Sequence, residues 1–342
     1  MKRIYRLCAA AALTLAGAVG AETFAELAQN DGPARLPKLV EAARKEGTLT
    51  FYTSIAEKDM PLLVAEFEKK YGVKVNLWRA STTKVLQRVV TEARANRWDF
   101  DVAEISSPEM EAMYREKTLQ EVKSAHHADL IPETLPAHRG WAPQNLSVFV
   151  QAYNTNLIKQ DSLPKTYQDL LDPKWKGKLG VEAKDNEWYC GLMKYLGEEK
   201  GAQLFRDIVA RNGWSVRSGH SLLNNMVVSG EVPLALTVYN YMPEQAKQKG
   251  APIDWFGIDP VIGRSNGIGV SRKPPHPHAA LLFYELMISE AQPLMLKMNY
   301  LSPNRKMESP LKNIKVHYID PAASLDSVDR CSRQFDILQK SR

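Results

Sequence analysis

The residues with the clearest chemical potential are two phenols and an amide, Tyr239, Asn240 and Tyr241. Apolar residues alternate just before them, which predicts a β-strand that carries all three at its carboxyl end. Pro243 suits the first turn of a following helix, and Gly250 is placed to end that helix. Open α/β sheets bind ligands where a strand ends and a helix begins. The phenols are therefore predicted to act either as ligands of a hard metal ion or as hydrogen-bond donors to an organic solute.

Three pairs of hydroxyl residues occupy similar positions, each where a predicted strand gives way to a predicted helix. They are Thr53-Ser54, Ser81-Thr82 and Ser106-Ser107. Hydroxyls and free helix amides at such points bind anionic groups, although helix capping explains any one pair better when it is taken singly. Three pairs in successive turns favour one shared, anion-tolerant site.

Short strands alternate with helices from residue 47 onward, and this order predicts a βαβαβ arrangement with parallel strands. The predicted strands are residues 49–52, 73–77 and 100–105. A helix is predicted over Met60–Tyr71, with Asp59 as its N-cap and Gly72 at its exit.

The pattern changes after an extended segment at residues 147–153. A long amphipathic helix is predicted at residues 198–211, and a strand at 268–270 leads into an apolar helix at 278–289. These elements predict an α/β protein with a ligand cleft between two lobes. The predicted lobes are residues 22–148 with about 267–303, and residues 149–266, with residues 304–342 packed on the second lobe.

The amino terminus indicates the compartment. Lys2, Arg3 and Arg6 precede an apolar run at residues 7–20, and small residues end at Ala21. This pattern is typical of a cleaved secretory signal, so a periplasmic location is predicted. Without the three signal residues, 42 of the 45 basic residues remain against 39 acidic ones, and the formal net charge falls from +6 to +3. No run of like charge remains that would support nucleic-acid binding.

Two cysteines, Cys190 and Cys331, lie outside the signal. In an oxidising compartment they could form a disulfide or remain two separate buried thiols, and their spacing leaves both possibilities open. Closing so long a loop would stabilise the fold by about 4–5 kcal/mol in the chain-entropy model.

Several moderately specific motifs follow one another along nearly the whole mature chain. They are the export signal, residues 47–54, residues 172–178, residues 230–231 before the tyrosine strand, and Ser302-Pro303. Together they resemble the periplasmic solute-binding proteins of ABC importers, in the branch with ferric-ion-, thiamine- and phosphonate-binding proteins. The resemblance implies a two-lobed type 2 fold and no enzymatic turnover. It also implies a monomer that needs no cofactor and delivers a small-molecule or metal-ion solute to an inner-membrane permease with its ATPase.

Ferric members of that branch hold iron with adjacent tyrosines, often helped by a histidine in the first loop and a glutamate after the third strand. Here Tyr241 matches one tyrosine, while Asn240 stands at the other position and Tyr239 is displaced by one residue. The first loop has no histidine, and Ser106 stands where the glutamate is expected. On an extended strand, Tyr239 and Tyr241 would point to the same side. The resemblance leaves Fe3+ a candidate, with Tyr239 and Tyr241 as its ligands, beside a small anionic or organic solute such as a phosphonate.

The resemblance places further residues of the second lobe in loops at the cleft. They are Asn186, Glu187, Trp188 and His220. His220 is either a hydrogen-bond donor to an anionic ligand or a solvated loop histidine. Tyr52, at the end of the first predicted strand, is a further phenol of the candidate site.

Two motifs suggest enzymes instead. Ser81 and Lys84 match the Ser-x-x-Lys pattern of penicillin-interacting serine enzymes, but the supporting motifs of that class are absent from the sequence. Ser265 lies in a Gly-x-Ser-x-Gly segment, but a strand rather than a helix is predicted directly after it, so a plain glycine turn is predicted at residues 263–267. We therefore predict a binding protein, with a serine hydrolase and a ligand-sensing binding protein as the alternatives.

Overall fold

The computed structural model describes residues 22–309, 311 and 314–340 of the chain. The predicted export signal at residues 1–21 lies outside the described residues. In the described part of the chain, no helix combines the length and the apolar character needed to cross a membrane.

Eleven β-strands in the described residues belong to one mixed sheet. Their bounds are β1 Thr48–Thr53, β2 Lys74–Arg79, β3 Val102–Ser106, β4 Leu119–Gln120, β5 Ala142–Asn154, β6 Leu179–Glu182, β7 Ser215–Arg217, β8 Leu234–Tyr239, β9 Ile253–Phe256, β10 Val261–Ser271 and β11 Val316–Tyr318. All the strands predicted from alternation are present, which confirms the α/β class.

The described residues also form twelve α-helices. Their bounds are α1 Phe24–Gln29, α2 Arg35–Glu46, α3 Met60–Tyr71, α4 Thr82–Arg94, α5 Ser107–Arg115, α6 Asn186–Leu196, α7 Glu198–Asn212, α8 His220–Ser229, α9 Tyr241–Gln248, α10 Pro277–Ile288, α11 Gln292–Lys297 and α12 Pro321–Lys340. Short 3-10 turns fill the loop-rich segment between β5 and β6.

The main path of the sheet runs β2-β1-β3-β10-β5-β8-β6-β7. Strands β2, β1 and β3 are parallel at one end, and β8, β6 and β7 are parallel at the other. The two groups are joined by β10 and β5, which are antiparallel to each other and to their outer neighbours. One half of β5 pairs with β10 and the other half pairs with β8 and β9, so β5 and β10 carry the chain between the two groups.

Apolar side chains pack on both faces of each strand group, and the inner strands β3, β5, β6 and β8 are almost entirely buried, whereas the edge strands β2 and β7 are not. One group is covered by α2, α3 and α10 on one face and by α4 and α5 on the other. Its buried aromatic residues are Phe51, Phe67 and Phe283 on the first face and Tyr52, Phe100 and Trp141 on the second. The other group is covered by α6 and α7 on one face and α8 on the other, with Trp175, Trp188 and Phe205 in its largest cluster.

Helix α3 has the predicted bounds, but its start differs in one respect. Gly72 ends the helix at φ +73, a left-handed conformation that glycine adopts without a steric penalty. Asp59 stands at the N-cap position, yet its side chain makes no capping hydrogen bond. Instead, the Asp59 carboxylate accepts a hydrogen bond of 2.8 Å from the Tyr300 hydroxyl. This longer-range bond replaces the predicted cap.

Cys190 and Cys331 form a disulfide, with an S–S distance of 2.02 Å. This bond joins α6 to α12, the helix near the carboxyl terminus. Two buried side chains of α12, Phe335 and Leu338, lie in the same cluster as Trp188. The open question about the cysteines is therefore answered by the packing of α12, which spacing along the chain could not reveal.

Candidate functional site

The tyrosine segment turns more sharply than the sequence predicted. Strand β8 ends at Tyr239, and α9 already begins at Tyr241, so the two tyrosines do not lie on one extended strand. Asn240 between them has helical dihedral angles, φ −45 and ψ −37. The two phenol rings nevertheless remain neighbours, with ring centroids 6.2 Å apart and planes inclined by 16°. The prediction of an extended strand through Tyr241 was wrong, but the tight turn brings the phenols together.

Asn240 is part of the framework. Its backbone N–H donates to the Val148 carbonyl at 3.0 Å, and its side-chain oxygen accepts from the Val148 N–H at 3.3 Å. These two bonds attach the turn to β5, and the side chain is buried. The asparagine side chain therefore supplies a hydrogen bond in place of the strand pairing that the turn interrupts.

Arg264 is the basic residue at the centre of this region, and sequence reasoning missed it. Its guanidinium donates to the Tyr239 hydroxyl oxygen at 2.6 Å and lies 3.5 Å from a carboxylate oxygen of Glu187. Burial opposes its charge, but Tyr239 and the acids Glu187, Glu109 and Asp185 raise the pKa of Arg264 above its ordinary value. An isolated arginine in the otherwise buried strand β10 was the available signal; the surrounding glycines had suggested only a turn.

Two carboxylates flank Arg264, one from each strand group. Glu187 lies in the first turn of α6, and Glu109 lies in the first turn of α5. Burial, followed by repulsion from Glu187, raises the pKa of Glu109 to about 7, although Arg264 opposes this shift. Burial likewise raises the pKa of Glu187. One oxygen of each carboxylate makes no hydrogen bond to the described residues.

Glu109 was also missed by sequence reasoning. It lies three residues beyond Ser106, the position at which the resemblance led us to expect a glutamate. Helices commonly carry an acid in the first turn because it interacts favourably with the helix dipole, so the residue looked unremarkable. Only the packing of α5 brings it close enough to Glu187 and Arg264 for electrostatic coupling.

His220 lines the other side of Tyr239. The imidazole stacks on the phenol with centroids 4.1 Å apart, and its Nε2 atom donates to the Asp185 carboxylate at 2.9 Å. Burial lowers the pKa of His220, but the attraction of Asp185 outweighs it and the net change is upward. Asn186, Glu187 and His220, predicted in loops, actually lie in the first turns of α6 and α8.

One group of residues has the spacing of a metal site: ligand atoms of Glu182, Asp185 and His220 lie within 4.8 Å of one another. The two oxygens of Glu182, however, already accept backbone hydrogen bonds from Gly219 at 2.8 Å and Lys184 at 2.5 Å. The Asp185 carboxylate already accepts a hydrogen bond from the His220 imidazole. This group therefore fastens the loops that position His220.

Tyr241 continues the aromatic surface away from Tyr239. Its ring stacks on Tyr300, with centroids 4.4 Å apart and planes inclined by 27°. Burial, followed by repulsion from Asp59, raises the pKa of Tyr241. Tyr300 was not predicted as a site residue, because it belongs to a segment that follows α11 and has no strand or helix pattern.

The predicted hydroxyl residues are brought together only in part. The Thr82 and Ser106 hydroxyls, at the starts of α4 and α5, lie 2.9 Å apart, and the Ser106 N–H donates to the Thr82 oxygen. Thr53 is fully buried and donates to the Glu104 carboxylate at 2.7 Å. Burial raises the pKa of Glu104 to about 7 despite this bond.

The remaining hydroxyls differ in their surroundings. Ser107 has a buried hydroxyl with no hydrogen-bond partner among the described residues. Ser54 is half-buried, and Ser81 is exposed at the N-cap position of α4. Lys84 is also exposed, so the residues of the Ser-x-x-Lys motif lie on the surface of the helix. The Gly-x-Ser-x-Gly segment lies inside β10, so the predicted glycine turn is wrong. The strand predicted at residues 268–270 begins earlier than expected, because residues 263–268 pair with β5.

Two predicted site residues belong to the hydrophobic core. Tyr52 is 1% exposed and packs beside Trp78 and Phe100, with its hydroxyl donating to Glu92. Trp188 is fully buried on the inner face of α6, where its ring lies 5.4 Å from that of Phe205. Both side chains turn inward because they lie on the apolar face of their strand or helix. Their position near the end of a predicted element did not reveal which face they occupy.

Comparisons with known structures define the class of fold. The chain is similar to iron-bound HitA from Pseudomonas aeruginosa, with a TM-score of 0.71 and 20% identity over 85% of this chain and 99% of that one. It is also similar to the periplasmic binding protein AfuA from Actinobacillus pleuropneumoniae, determined with fructose-6-phosphate, with a TM-score of 0.74 and 19% identity over 87% of this chain and 100% of that one. The fold is therefore the two-lobed type 2 fold of periplasmic binding proteins, with the ligand cleft between its lobes.

Comparisons of sequence define the family. The model for bacterial extracellular solute-binding proteins matches residues 52–292, and the chain belongs to this family. It is 28% identical over 262 residues to Iron uptake protein A1 of Synechocystis sp., a match that covers 70% of this chain and 71% of that protein. The protein is thus an extracellular or periplasmic solute-binding component of an ABC import system.

Proposed function

We propose that the protein captures ferric iron in the cleft beside Tyr239 and Tyr241 and delivers it to its membrane permease. The observation that carries this proposal is the excess of acidic over basic groups around Arg264. Glu187 pairs with the Arg264 guanidinium and Glu109 interacts electrostatically with both of these groups, while His220 is already paired with Asp185. A buried cluster with more carboxylates than cations is stabilised by an incoming cation.

The donor atoms fit a hard cation of high charge. Fe(III) prefers anionic oxygen ligands, and Tyr239, Tyr241, Glu109 and Glu187 supply two phenol and two carboxylate groups. Burial raises the pKa of both tyrosines, so neither phenol ionises by itself near neutral pH. A bound metal ion would reverse that preference, since it stabilises the phenolate directly. The name of the Synechocystis relative, Iron uptake protein A1, supports the same solute.

The proposed capture is a closure of the two lobes. We assign residues 22–148 and about 267–303 to lobe 1 and residues 149–266 to lobe 2, with residues 304–342 anchored mainly on lobe 2. Glu109 then belongs to lobe 1 and Glu187 to lobe 2, so one cation between them would hold the lobes together. In this proposal the protein is a monomer without enzymatic turnover, exported after cleavage near Ala21.

An organic cation is the second candidate. The observation in its favour is the run of stacked rings Tyr239, Tyr241 and Tyr300, because aromatic faces attract cationic groups. The acidic character of the cluster argues against a phosphate or phosphonate, which would lie beside Glu109 and Glu187 with only Arg264 to balance it.

The visible spectrum of the purified protein tests the proposal. On addition of Fe(III)-nitrilotriacetate, we expect a tyrosinate-to-iron charge-transfer band that is lost in Tyr239→Phe and in Tyr241→Phe. Tyr195→Phe is the matched control, because Tyr195 is 44% exposed on α6 outside this cluster. The absence of any band, together with thermal stabilisation by spermidine or another organic cation, would exclude iron and favour the second candidate. A ligand at 100 times its Kd stabilises by about 2.7 kcal/mol, which a melting experiment detects.

A further inference from the structure

The carboxyl-terminal helix α12 contacts helices of both strand groups. On one side it packs on α6 and α7, and on the other it reaches α5. Two of these contacted helices carry acids of the candidate site: α5 carries Glu109 and α6 carries Glu187. The helix therefore links the two elements that present carboxylates to the candidate site.

The attachment of α12 to the second strand group is covalent and apolar. Cys331 is joined to Cys190 on α6, one turn after Glu187. Phe335 and Leu338 are buried in the hydrophobic cluster beneath α6 and α7. Arg330 adds an ion pair with Glu198 of α7 at 2.7 Å. Separation on this side would need both bond reduction and exposure of apolar surface.

The side-chain contact between α12 and α5 on which the proposal depends is an ion pair accessible to water. Arg115, in the last turn of α5, forms an ion pair with Asp326 at 2.5 Å, and the two side chains are 42% and 64% exposed. Arg115 also pairs with Glu111 one turn earlier in α5, at 3.0 Å. An exposed ion pair of this kind is weak and can break and re-form as helices move.

We propose that α12 is a strap across the cleft, fastened permanently to α6 by Cys190–Cys331 and releasably to α5 by Arg115–Asp326. The two ends of α5 then have connected roles, since Glu109 faces the solute site and Arg115 holds the strap. Opening of the lobes separates Arg115 from Asp326, whereas closure re-forms the pair and brings Glu109 towards Glu187. Asp326 and Cys331 are thus positioning residues for a site that neither of them touches. The effect of the strap on solute release rests on the proposed function, but its effect on lobe closure does not.

The proposal is tested first without any solute. Small-angle X-ray scattering would give the radius of gyration of the wild type, Asp326→Lys, and the double variant Cys190→Ser/Cys331→Ser. We expect both variants to be more open than the wild type, and the double variant to show the larger change. Asp329→Lys is the matched control, because Asp329 is an exposed aspartate on the same helix. Circular dichroism and thermal melting would show whether each variant is folded. If Asp326→Lys does not fold, Arg115→Gln is a second variant that breaks the same ion pair.

The second measurement is the rate of Fe(III) loss to excess chelator by stopped-flow absorbance. Asp326→Lys should release iron roughly two- to fivefold faster than Asp329→Lys, as expected for one exposed ion pair. The strap is overturned if Asp326→Lys and Asp329→Lys give the same radius of gyration, or if only the cysteine variant opens. Should the protein bind no iron at all, the ferric proposal fails while the scattering comparison still decides the role of α12.

Discussion

Two Tyr–Arg–Glu clusters in the described part of the chain are built on strand ends, and they differ in that one has the properties of a binding site. In the first, the Tyr52 hydroxyl donates to Glu92 at 3.1 Å, and Arg88 pairs with the same carboxylate at 2.6 Å. The Arg88 guanidinium also lies over the Tyr52 ring and over the ring of Trp78. Each polar group in this cluster has a partner, and the cluster attaches α4 to the sheet.

The second cluster combines the same residue types differently. Tyr239 accepts a hydrogen bond from Arg264, and Glu187 lies 3.5 Å from the same guanidinium. A further carboxylate, Glu109, adds negative charge from another helix, and polar atoms of Glu187, Glu109 and Arg264 have no hydrogen-bond partner among the described residues. The two clusters contain the same residue types, so incomplete hydrogen bonding of the polar atoms is what distinguishes a site for a solute from a structural cluster.

The largest difference is expected in affinity. Replacing a residue that only orients a metal ligand costs up to about 100-fold in metal affinity. Glu187 is proposed to bind iron directly, so Glu187→Gln should weaken Fe(III) binding by roughly 100-fold or more. Glu92→Gln should leave the affinity unchanged, because Glu92 belongs to the completed cluster. Competition with nitrilotriacetate, followed by visible absorbance, measures both. Equal losses in the two variants would remove the distinction between the clusters.

Stability should respond in the opposite way. Glu92→Ala leaves the buried Tyr52 hydroxyl and Arg88 without their carboxylate, and we expect the free energy of unfolding to fall by about 2 kcal/mol. This value is below the range for a fully buried ion pair because Arg88 is partly exposed. Glu187→Ala should cost less, because Glu109 remains to balance the charge of Arg264 and is freed from the repulsion of Glu187. Urea unfolding of the solute-free proteins gives both values. A greater loss in Glu187→Ala would show that the second cluster also has a mainly structural role.

The solute-free protein should become more stable at pH 8 when Glu109 is replaced by glutamine. Burial raises the pKa of Glu109 from its ordinary value of 4.5 to about 7, so its stabilising contribution is present at low pH and is lost as the pH rises through about 7. Above that pH the ionised, buried carboxylate destabilises the fold, and Glu109→Gln should recover about 1–2 kcal/mol. The gain should disappear near pH 4.5. Unfolding experiments at both pH values measure this gain in unfolding free energy, and Glu133→Gln is the control because Glu133 is exposed. A gain of the same size at both pH values would contradict the explanation.

The smallest effect concerns His220, a group with no counterpart in the Tyr52 cluster. Because the pKa of His220 is raised by Asp185, its contribution to stability is fully present below the pKa of an unfolded histidine and is lost as the pH rises through the folded value. His220→Gln should therefore destabilise the protein more at pH 5.5 than at pH 8.5, by about 1 kcal/mol or less. The measurement is the difference between wild-type and variant unfolding free energies at the two pH values. A constant difference would mean that the imidazole contributes through packing on Tyr239 alone.

Much of the fold could be predicted from the sequence because its determinants are local. Alternating apolar residues identified the strands on both sides of the molecule, and Gly72 marked a helix end that only a left-handed residue completes without strain. The segment around Tyr239 and Tyr241 was also found this way, since a strand followed by a helix start can be read along the chain. The lobe boundaries and the export signal remain predictions of the same kind.

The composition of the site depended on contacts between distant segments. Arg264 reaches Tyr239 across β5, which lies between β10 and β8 in the sheet. Glu109 interacts with Glu187 and Arg264 because α5 and α6 both pack on β10, and no spacing along the chain encodes that proximity. Tyr52 and Trp188 look like site residues by position, yet their side chains turn into apolar clusters. The sequence by itself determined where the strands end and which functional groups stand there. Tertiary structure alone decided which of those groups are satisfied by neighbours and which remain available to a solute, because burial and charge pairing are properties of residues brought together in space.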